Sequence, residues 1–196
     1  EIKELDDVKW RRLIWQRYGL PKLIEGDSNP GILFVPGGLN PCILPPNAGS
    51  VVMYQNSLPF DARESLRYGL SRALLRLVAL RLGQFSSFKK ADGVIFLSQF
   101  AQRTISRLFP AVTEKSMIIP HGIVDFFRCP PKVKSSQPMK LLYVSTVDMY
   151  KHQWQVVKAL RILVDRGYKD LHLDLIGGAY PPALKNLKRT IGKLAI

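Results

Sequence analysis

The stretch from Lys140 to Ala159 holds the residues best placed for chemistry, because a lysine stands where a predicted strand gives way to a predicted helix. Apolar residues at 141–144 predict the strand, and helical spacing from Trp154 predicts the helix. In a parallel sheet the loop between them lies at the carboxyl end of the strand, where free N–H groups of the helix favour phosphate. Lys151 could add positive charge at this junction, or it could be a solvated lysine of the first helical turn.

Glycines and hydrogen-bonding residues also follow the other predicted strands, which lie at 31–35, 51–54, 93–97, 116–119 and 171–176. Ligands bind at the carboxyl ends of strands in open α/β sheets, so these residues are expected to line one crevice. They are Gly37, Gly38, Gln55, Asn56, His121, Gly122, Gly177 and Gly178. A capped turn is the alternative role for Gln55 and Asn56, and a turn position is the alternative for His121.

Strands and helices alternate along the chain, which predicts doubly wound parallel α/β sheets. Predicted helices lie at residues 4–19, 62–84, 99–108, 151–166 and from Pro181 onward. Gly19 and Pro21 are expected to end the first of these helices. Residues 128–139 lack an apolar pattern, are rich in Pro, Lys and Ser, and form the predicted linker. The fold class predicted is α/β with two Rossmann-like lobes, at residues 1–127 and 140–196, and the crevice between them.

The predicted helix at 62–84 combines an apolar stripe with regularly spaced arginines. A basic amphipathic helix of this kind can lie on an anionic membrane surface. A helix packed on a sheet shows the same stripe, and arginine is a good helix former in solvent, so both interpretations stay open.

Composition points to a folded protein with an anionic partner. Hydrophobic residues make up 46% of the chain and charged residues 22%, which excludes a disordered tail. The 29 Lys and Arg exceed the 15 Asp and Glu and give a net charge of +14. Nucleic acid, an acidic membrane or phosphorylated small molecules would fit this excess. The aromatic residues lie mostly inside predicted strands, as core residues do, so no nucleic acid is expected.

The cysteine spacing and the absence of several motifs argue against other classes of protein. Cys42 and Cys129 lie far apart without CxxC spacing, so no structural metal and no disulfide framework are expected, and a reducing cytoplasmic setting is the default. No stretch approaches the roughly 20 apolar residues of a spanning helix. The chain contains no GxGxxG, GxxxxGK[ST] or GxSxG motif, which argues against dinucleotide-dependent oxidoreductases, P-loop NTPases and hydrolases with a nucleophile elbow.

Four segments together resemble the family-four retaining glycosyltransferases of the GT-B fold, in the order and spacing of that family. They are ADGVIFLSQFAQRTI at 91–105, IPHGI at 119–123, YVSTVDMYKHQWQVVKAL at 143–160 and LDLIGGAY at 173–180. The resemblance implies transfer of a sugar from a nucleotide-sugar donor to a glycan or lipid-linked acceptor, with retention of configuration. It implies no cofactor and no obligatory metal. The first lobe would then lie on the acceptor side, and the second would begin the donor-binding lobe.

The resemblance also implies roles for single residues. Lys151 would hold the donor diphosphate, and Ser145 and Thr146 would line the same pocket. Gly177 and Gly178 would form the loop beside the nucleotide. Gly122, with His121, would face the donor at the interlobe hinge.

The chain departs from the family pattern in two loops and at its ends. Many relatives have Arg where Thr146 stands. Many also carry a His in the loop that here contains Gly37 and Gly38, so the contact of that His is either missing or replaced by Gln55 or Asn56. The first residue is not Met, and the chain stops at Ile196 within a helical pattern. Both lobes are therefore expected to be incomplete, as the central portion of a longer enzyme.

The sequence thus predicts a cytoplasmic glycosyltransferase of cell-surface polysaccharide synthesis, with the 62–84 helix either on the inner face of the membrane or packed on a sheet. The alternative is a basic α/β module that binds anionic lipid or nucleic acid without catalysis.

Overall fold

A computed structural model describes residues 9–26, 31–128, 139–168 and 170–194 of the chain. The described residues group into two units by their contacts. One unit contains those within Glu1–Ala62 and Leu70–Ile123, and the other those within Arg63–Gly69 and Val124–Ile196. The predicted linker at 128–139 falls almost entirely outside the described residues, and the two-lobed arrangement stays a prediction.

The first unit is built on a four-stranded parallel sheet in the order β1-β2-β3-β4. The strands are β1 (Gly31–Val35), β2 (Ala48–Tyr54), β3 (Gly93–Phe96) and β4 (Ser116–Ile118). The register places Tyr54 beside Phe96 and Phe96 beside Ile118. All four carboxyl ends therefore lie along one edge, as the apolar runs predicted.

The core of the first unit lies on one face of this sheet. Tyr54 is 1% exposed and Phe96 is fully buried, and both pack with residues of the helices α4 (Arg72–Lys90) and α5 (Gln99–Leu108). The rings of Phe60, Phe88 and Phe96 surround Tyr54 at centroid distances of 5.8, 5.7 and 5.6 Å in edge-to-face geometry, which aromatic pairs prefer. Burial raises the pKa of Tyr54.

The first predicted helix continues past its expected end, so the predicted stop at Gly19 and Pro21 is wrong. The chain forms α1 (Lys9–Ile14), a π-helical turn (Trp15–Gly19) and α2 (Leu20–Glu25) in succession. Pro21 stands in the first turn of α2, where the missing N–H group costs little. A Cβ atom on Gly19 would come within 2.8 Å of the Trp15 ring, which explains a glycine inside the helix.

The long helix predicted at 62–84 is two helices, α3 (Ala62–Leu66) and α4, so that prediction is wrong. Gly69 adopts a φ of +58°, a conformation that ends a helix and favours glycine. Ser71 then caps α4, since its hydroxyl accepts a hydrogen bond from the Leu74 N–H at 3.3 Å. These stop and start signals override the apolar periodicity that runs through them.

The second unit contains a two-stranded parallel sheet and two helices. They are β5 (Met139–Val144), β6 (Leu171–Ile176), α6 (Gln153–Asp165) and α7 (Pro181–Leu194). Trp154 and Val157 of α6 pack with Ala183 and Leu187 of α7 in a small core. The whole described chain is α/β with parallel sheets and helices, which is compatible with a Rossmann-like fold. No helix among the described residues is long and apolar enough to cross a membrane.

Candidate functional site

The loops that follow β5 and β6 meet at the carboxyl edge of the second unit's sheet. The Ser145 N–H donates to the Ile176 carbonyl at 2.9 Å and the Val147 N–H to the Gly178 carbonyl at 2.8 Å. The Tyr180 N–H in turn donates to the Val147 carbonyl at 2.9 Å. Backbone pairing therefore continues past the strand ends, and it brings together the Ser145–Lys151 and Gly177–Gly178 loops that the sequence singles out.

Gly177 allows these two loops to approach each other. Its φ is +145°, and a Cβ atom there would lie 2.7 Å from the Ser145 carbonyl carbon and 3.1 Å from the Thr146 nitrogen. A side chain at this position would therefore collide with backbone of the neighbouring loop. Gly178 has no such constraint, because a Cβ atom there would meet nothing within 4 Å. The resemblance explains both glycines by a nearby nucleotide, whereas the structure gives Gly177 a reason within the protein.

Lys151 ends a short 3-10 turn (Met149–Lys151) and does not belong to the first turn of α6, where the sequence placed it. Its side chain is exposed, with Nζ 4.8 Å from the centroid of the Tyr150 ring. The Lys151 carbonyl accepts a hydrogen bond from the Tyr143 hydroxyl at 2.9 Å, which ties the turn to β5. The ammonium group is accessible to an anion at the edge of the sheet.

Two residues after Thr146 and before α6 have conformations that sequence reasoning missed. The Asp148 side chain caps the 3-10 turn by accepting from the Met149 N–H at 2.6 Å. His152 adopts the left-handed conformation at φ +54° and ψ +32°, which is uncommon for a non-glycine residue. The chain therefore turns sharply between Lys151 and α6, and α6 begins only at Gln153.

Gln153 is a further residue of this loop that sequence reasoning missed. Its side chain is 1% exposed, and Nε2 donates to the Thr146 carbonyl at 2.9 Å. This buried bond fixes the strand-end loop to the first residue of α6. A polar residue directly before the apolar stripe of a helix was the available signal, but it does not distinguish a buried amide from a solvated one.

A distant segment, Arg63–Gly69, contacts the same loop. The Tyr68 hydroxyl donates to Oδ1 of Asp148 at 2.7 Å, and Oε2 of Glu64 lies 3.1 Å from Nε2 of His152. Glu64 also pairs with Nε of Arg67 at 2.9 Å. Burial is the main cause that raises the pKa of Tyr68, and the hydrogen bond and negative charge of Asp148 raise it further. No local sequence pattern connects these residues, and none of them was predicted for the site.

The remaining predicted residues lie in the first unit, after β1, β2 and β4. Gly38 adopts a φ of +76°, and a Cβ atom there would lie 2.9 Å from Nε2 of the buried Gln84. Oδ1 of Asn56 accepts from the Leu58 N–H at 3.1 Å, which is the capped turn considered from the sequence. His121 and Gly122 are exposed, and a Cβ atom on Gly122 would meet nothing within 4 Å. The parallel sheet places these loops, with those of Gly37 and Gln55, at one edge.

A pocket of about 400 Å³ opens at the carboxyl end of β1. The turn at Pro36 and Gly37 lines one side of it, and Leu13 and Gln16 of the N-terminal helices line another. Most of its wall is apolar, and Asn40 and Gln16 supply polar groups. This combination suits a ligand with a substantial apolar part.

No protein family matches this chain, and no curated protein matches it at a significant level. Within the described ranges, no group of three or more His, Cys, Asp and Glu side chains could hold a metal ion. The assignment of function therefore rests on the loops and side chains described above.

Proposed function

We propose that the chain belongs to a retaining glycosyltransferase that uses a nucleotide-sugar donor, with a role in cell-surface polysaccharide synthesis. The supporting observation is the edge of the second unit's sheet, where exposed Lys151 lies in the loop that pairs with the Gly177–Gly178 loop. The proposal gives the two units the acceptor-side and donor-side roles of a GT-B enzyme.

In this proposal Lys151 binds the donor diphosphate. Negative charge grows on the diphosphate as the bond to the sugar breaks, so a nearby ammonium group stabilises the transition state more than the ground state. Ser145 and Thr146 lie in the same loop and could add hydroxyl groups beside the phosphates. No Arg stands at position 146, so Lys151 is the proposed source of positive charge within this loop.

The proposed acceptor side is the edge of the first unit's sheet. The apolar pocket beside Pro36 and Gly37 suits the lipid part of a lipid-linked acceptor. Gln55, His121 and Gly122 follow neighbouring strands at the same edge and would line the acceptor site.

Isothermal titration calorimetry with UDP, GDP and ADP tests the donor site. We expect one nucleotide to bind in a saturable manner, and Lys151→Ala to weaken binding by roughly 1–3 kcal/mol, as for loss of a charge-assisted contact. Lys158→Ala is the matched control, since Lys158 is an exposed lysine of α6 and its removal changes the net charge equally. A specific donor site would be contradicted if both variants weakened binding equally. It would also be contradicted if every nucleotide bound and salt abolished that binding.

The exposed face of α4 supports a second candidate function, which is binding to an anionic membrane. The sequence offers this as one of two interpretations of the 62–84 helix. Leu75 and Leu82 are 70% and 65% exposed, and they lie on the surface with Arg72 and Arg76. Apolar and cationic side chains on one helix surface suit an anionic lipid bilayer. The chain would then be a basic module that binds anionic lipid, either as a peripheral enzyme or without catalysis.

Co-sedimentation with vesicles tests this second function. Binding to phosphatidylserine vesicles is expected to exceed binding to phosphatidylcholine vesicles several-fold and to fall with salt. Leu75→Ser with Leu82→Ser should weaken it, whereas Phe100→Ser, which removes an apolar side chain that is 74% exposed on α5, should not. Vesicle binding without any nucleotide binding would favour the non-catalytic module.

A further inference from the structure

The loop that carries Lys151 is held at two points by a segment from much earlier in the chain. Tyr68 bonds to Asp148, which precedes the 3-10 turn, and Glu64 pairs with His152, which follows it. Lys151 lies between these two anchored residues. We propose that Glu64 and Tyr68 are positioning residues that fix the Asp148–His152 loop, and with it Lys151, for the diphosphate of a nucleotide ligand.

The contact at Asp148 determines how the loop begins. Oδ1 of Asp148 accepts both the Tyr68 hydroxyl at 2.7 Å and the Met149 N–H at 2.6 Å. The Asp148 carbonyl also accepts from the Lys151 N–H at 3.1 Å, which closes the turn. A carboxylate held by a tyrosine hydroxyl has fewer rotamers available, so the turn that it caps is more rigid.

The contact at His152 determines how the loop ends. A left-handed conformation is unfavourable for a non-glycine residue, so it persists only where surrounding contacts hold it. The imidazole is held by Oε2 of Glu64 at 3.1 Å and by an edge-to-face contact with the Trp154 ring at a centroid distance of 5.2 Å. Glu64 is itself oriented by Arg67, and its side chain is 17% exposed.

The Tyr68 ring also contacts the second loop of the site. Its centroid lies 5.6 Å from that of Tyr180, whose N–H donates to the Val147 carbonyl. The segment Arg63–Gly69 therefore contacts residues that follow both β5 and β6. This inference rests on the proposed function for the identity of the ligand, but the rigidity of the loop can be measured without any ligand.

Hydrogen exchange of the backbone amides, followed by NMR or mass spectrometry, tests the rigidity in the complete chain. Tyr68→Phe and Glu64→Gln should each accelerate exchange of the Met149 and Lys151 amides, about tenfold for loss of a bond to a charged group. Tyr168→Phe, an exposed tyrosine of the same unit, is the matched control and should leave exchange unchanged. Unchanged exchange in both test variants would overturn the proposal.

Calorimetric titration of the same variants with the nucleotide that binds the wild-type chain tests positioning. Tyr68→Phe and Glu64→Gln should lower affinity several-fold although neither side chain contacts the phosphates. If exchange accelerates while affinity stays at the wild-type value, the positioning role is wrong. If the wild-type chain binds no nucleotide, the proposed function fails, and accelerated exchange still supports the anchoring of the loop by Glu64 and Tyr68.

Discussion

The hydroxyl group of Tyr68 lies 2.7 Å from Oδ1 of Asp148, which follows it by 80 positions in the chain. A tyrosine in the short link between α3 and α4 therefore contacts a loop that lies far away in the sequence. The link exists because Gly69 and Ser71 interrupt what would otherwise be one continuous helix. The interruption thus has a structural role, since a continuous helix would give the backbone at Tyr68 a different direction.

Tyr68 should also make the stability of the folded chain fall at alkaline pH. Burial and the Asp148 contact raise the pKa of Tyr68 above its ordinary value of 10.0, so the unfolded chain loses this proton at lower pH than the folded chain. The stabilisation that the protonated Tyr68 hydroxyl contributes to the folded chain is complete below about pH 10, and it is lost as pH rises toward the folded-state pKa. Urea unfolding at several pH values should show that Tyr68→Phe loses less stability above pH 10 than the wild-type chain. A matching decline in Tyr68→Phe would contradict this, and Tyr168→Phe should behave as wild type.

Substitution of the two loop glycines should have unequal effects. Gly177→Ala introduces a Cβ atom against the Ser145 and Thr146 backbone at a φ of +145°, and we expect about 1–3 kcal/mol of destabilisation. Gly178→Ala places its Cβ atom in open space and should stay within about 0.5 kcal/mol of wild type. Chemical denaturation measures both values. Equal effects of the two substitutions would show that close approach of the loops does not constrain Gly177.

Removal of the Phe96 ring should strongly destabilise the first unit. Phe96 is fully buried and its ring lies 5.6 Å from Tyr54, so Phe96→Ala leaves a cavity in the aromatic core. The expected loss is about 3–5 kcal/mol of unfolding free energy. Phe100→Ala, at a position that is 74% exposed, is the control and should change stability little. Thermal and urea unfolding give the comparison, and similar losses in both variants would be inconsistent with this core.

The Cys42 thiol should react slowly in the folded chain. Cys42 is 4% exposed, and burial raises its pKa above the ordinary value of 9.0, which lowers the fraction of reactive thiolate. In a Cys129→Ser variant, where Cys42 is the single thiol, a chromogenic disulfide reagent should react much faster in urea than in buffer. Equal rates in the two solvents would show that Cys42 is accessible in the native state.

Local sequence pattern predicts the strands well and the helix ends unevenly, since the helix at 99–108 is confirmed at both ends whereas the first helix and the helix at 62–84 are not. The strands at 31–35 and 171–176 are confirmed at both ends, because apolar residues in a short segment bounded by turn residues indicate a strand. Periodicity alone misses the break at Gly69, where stop and start signals prevail over the apolar stripe. Pro21 fails as a stop signal because the first turn of a helix tolerates proline.

In the candidate site, likewise, some features can be predicted from the sequence and others cannot. The loops at Ser145 and Gly177 can be predicted, since parallel strands bring their carboxyl ends to one edge. The contacts of Tyr68 with Asp148 and of Glu64 with His152 cannot, because each joins residues far apart in sequence. The buried amide of Gln153 is hidden for a related reason, since its residue type is typical of solvent-exposed helix starts.

The assignment of Arg63–Gly69 to the second unit has a practical consequence for dividing the gene. A fragment that starts after the predicted linker at 128–139 would contain β5, α6, β6 and α7 but would lack the partners of Asp148 and His152. For this protein, the stretch of DNA that encodes one compact unit is not continuous.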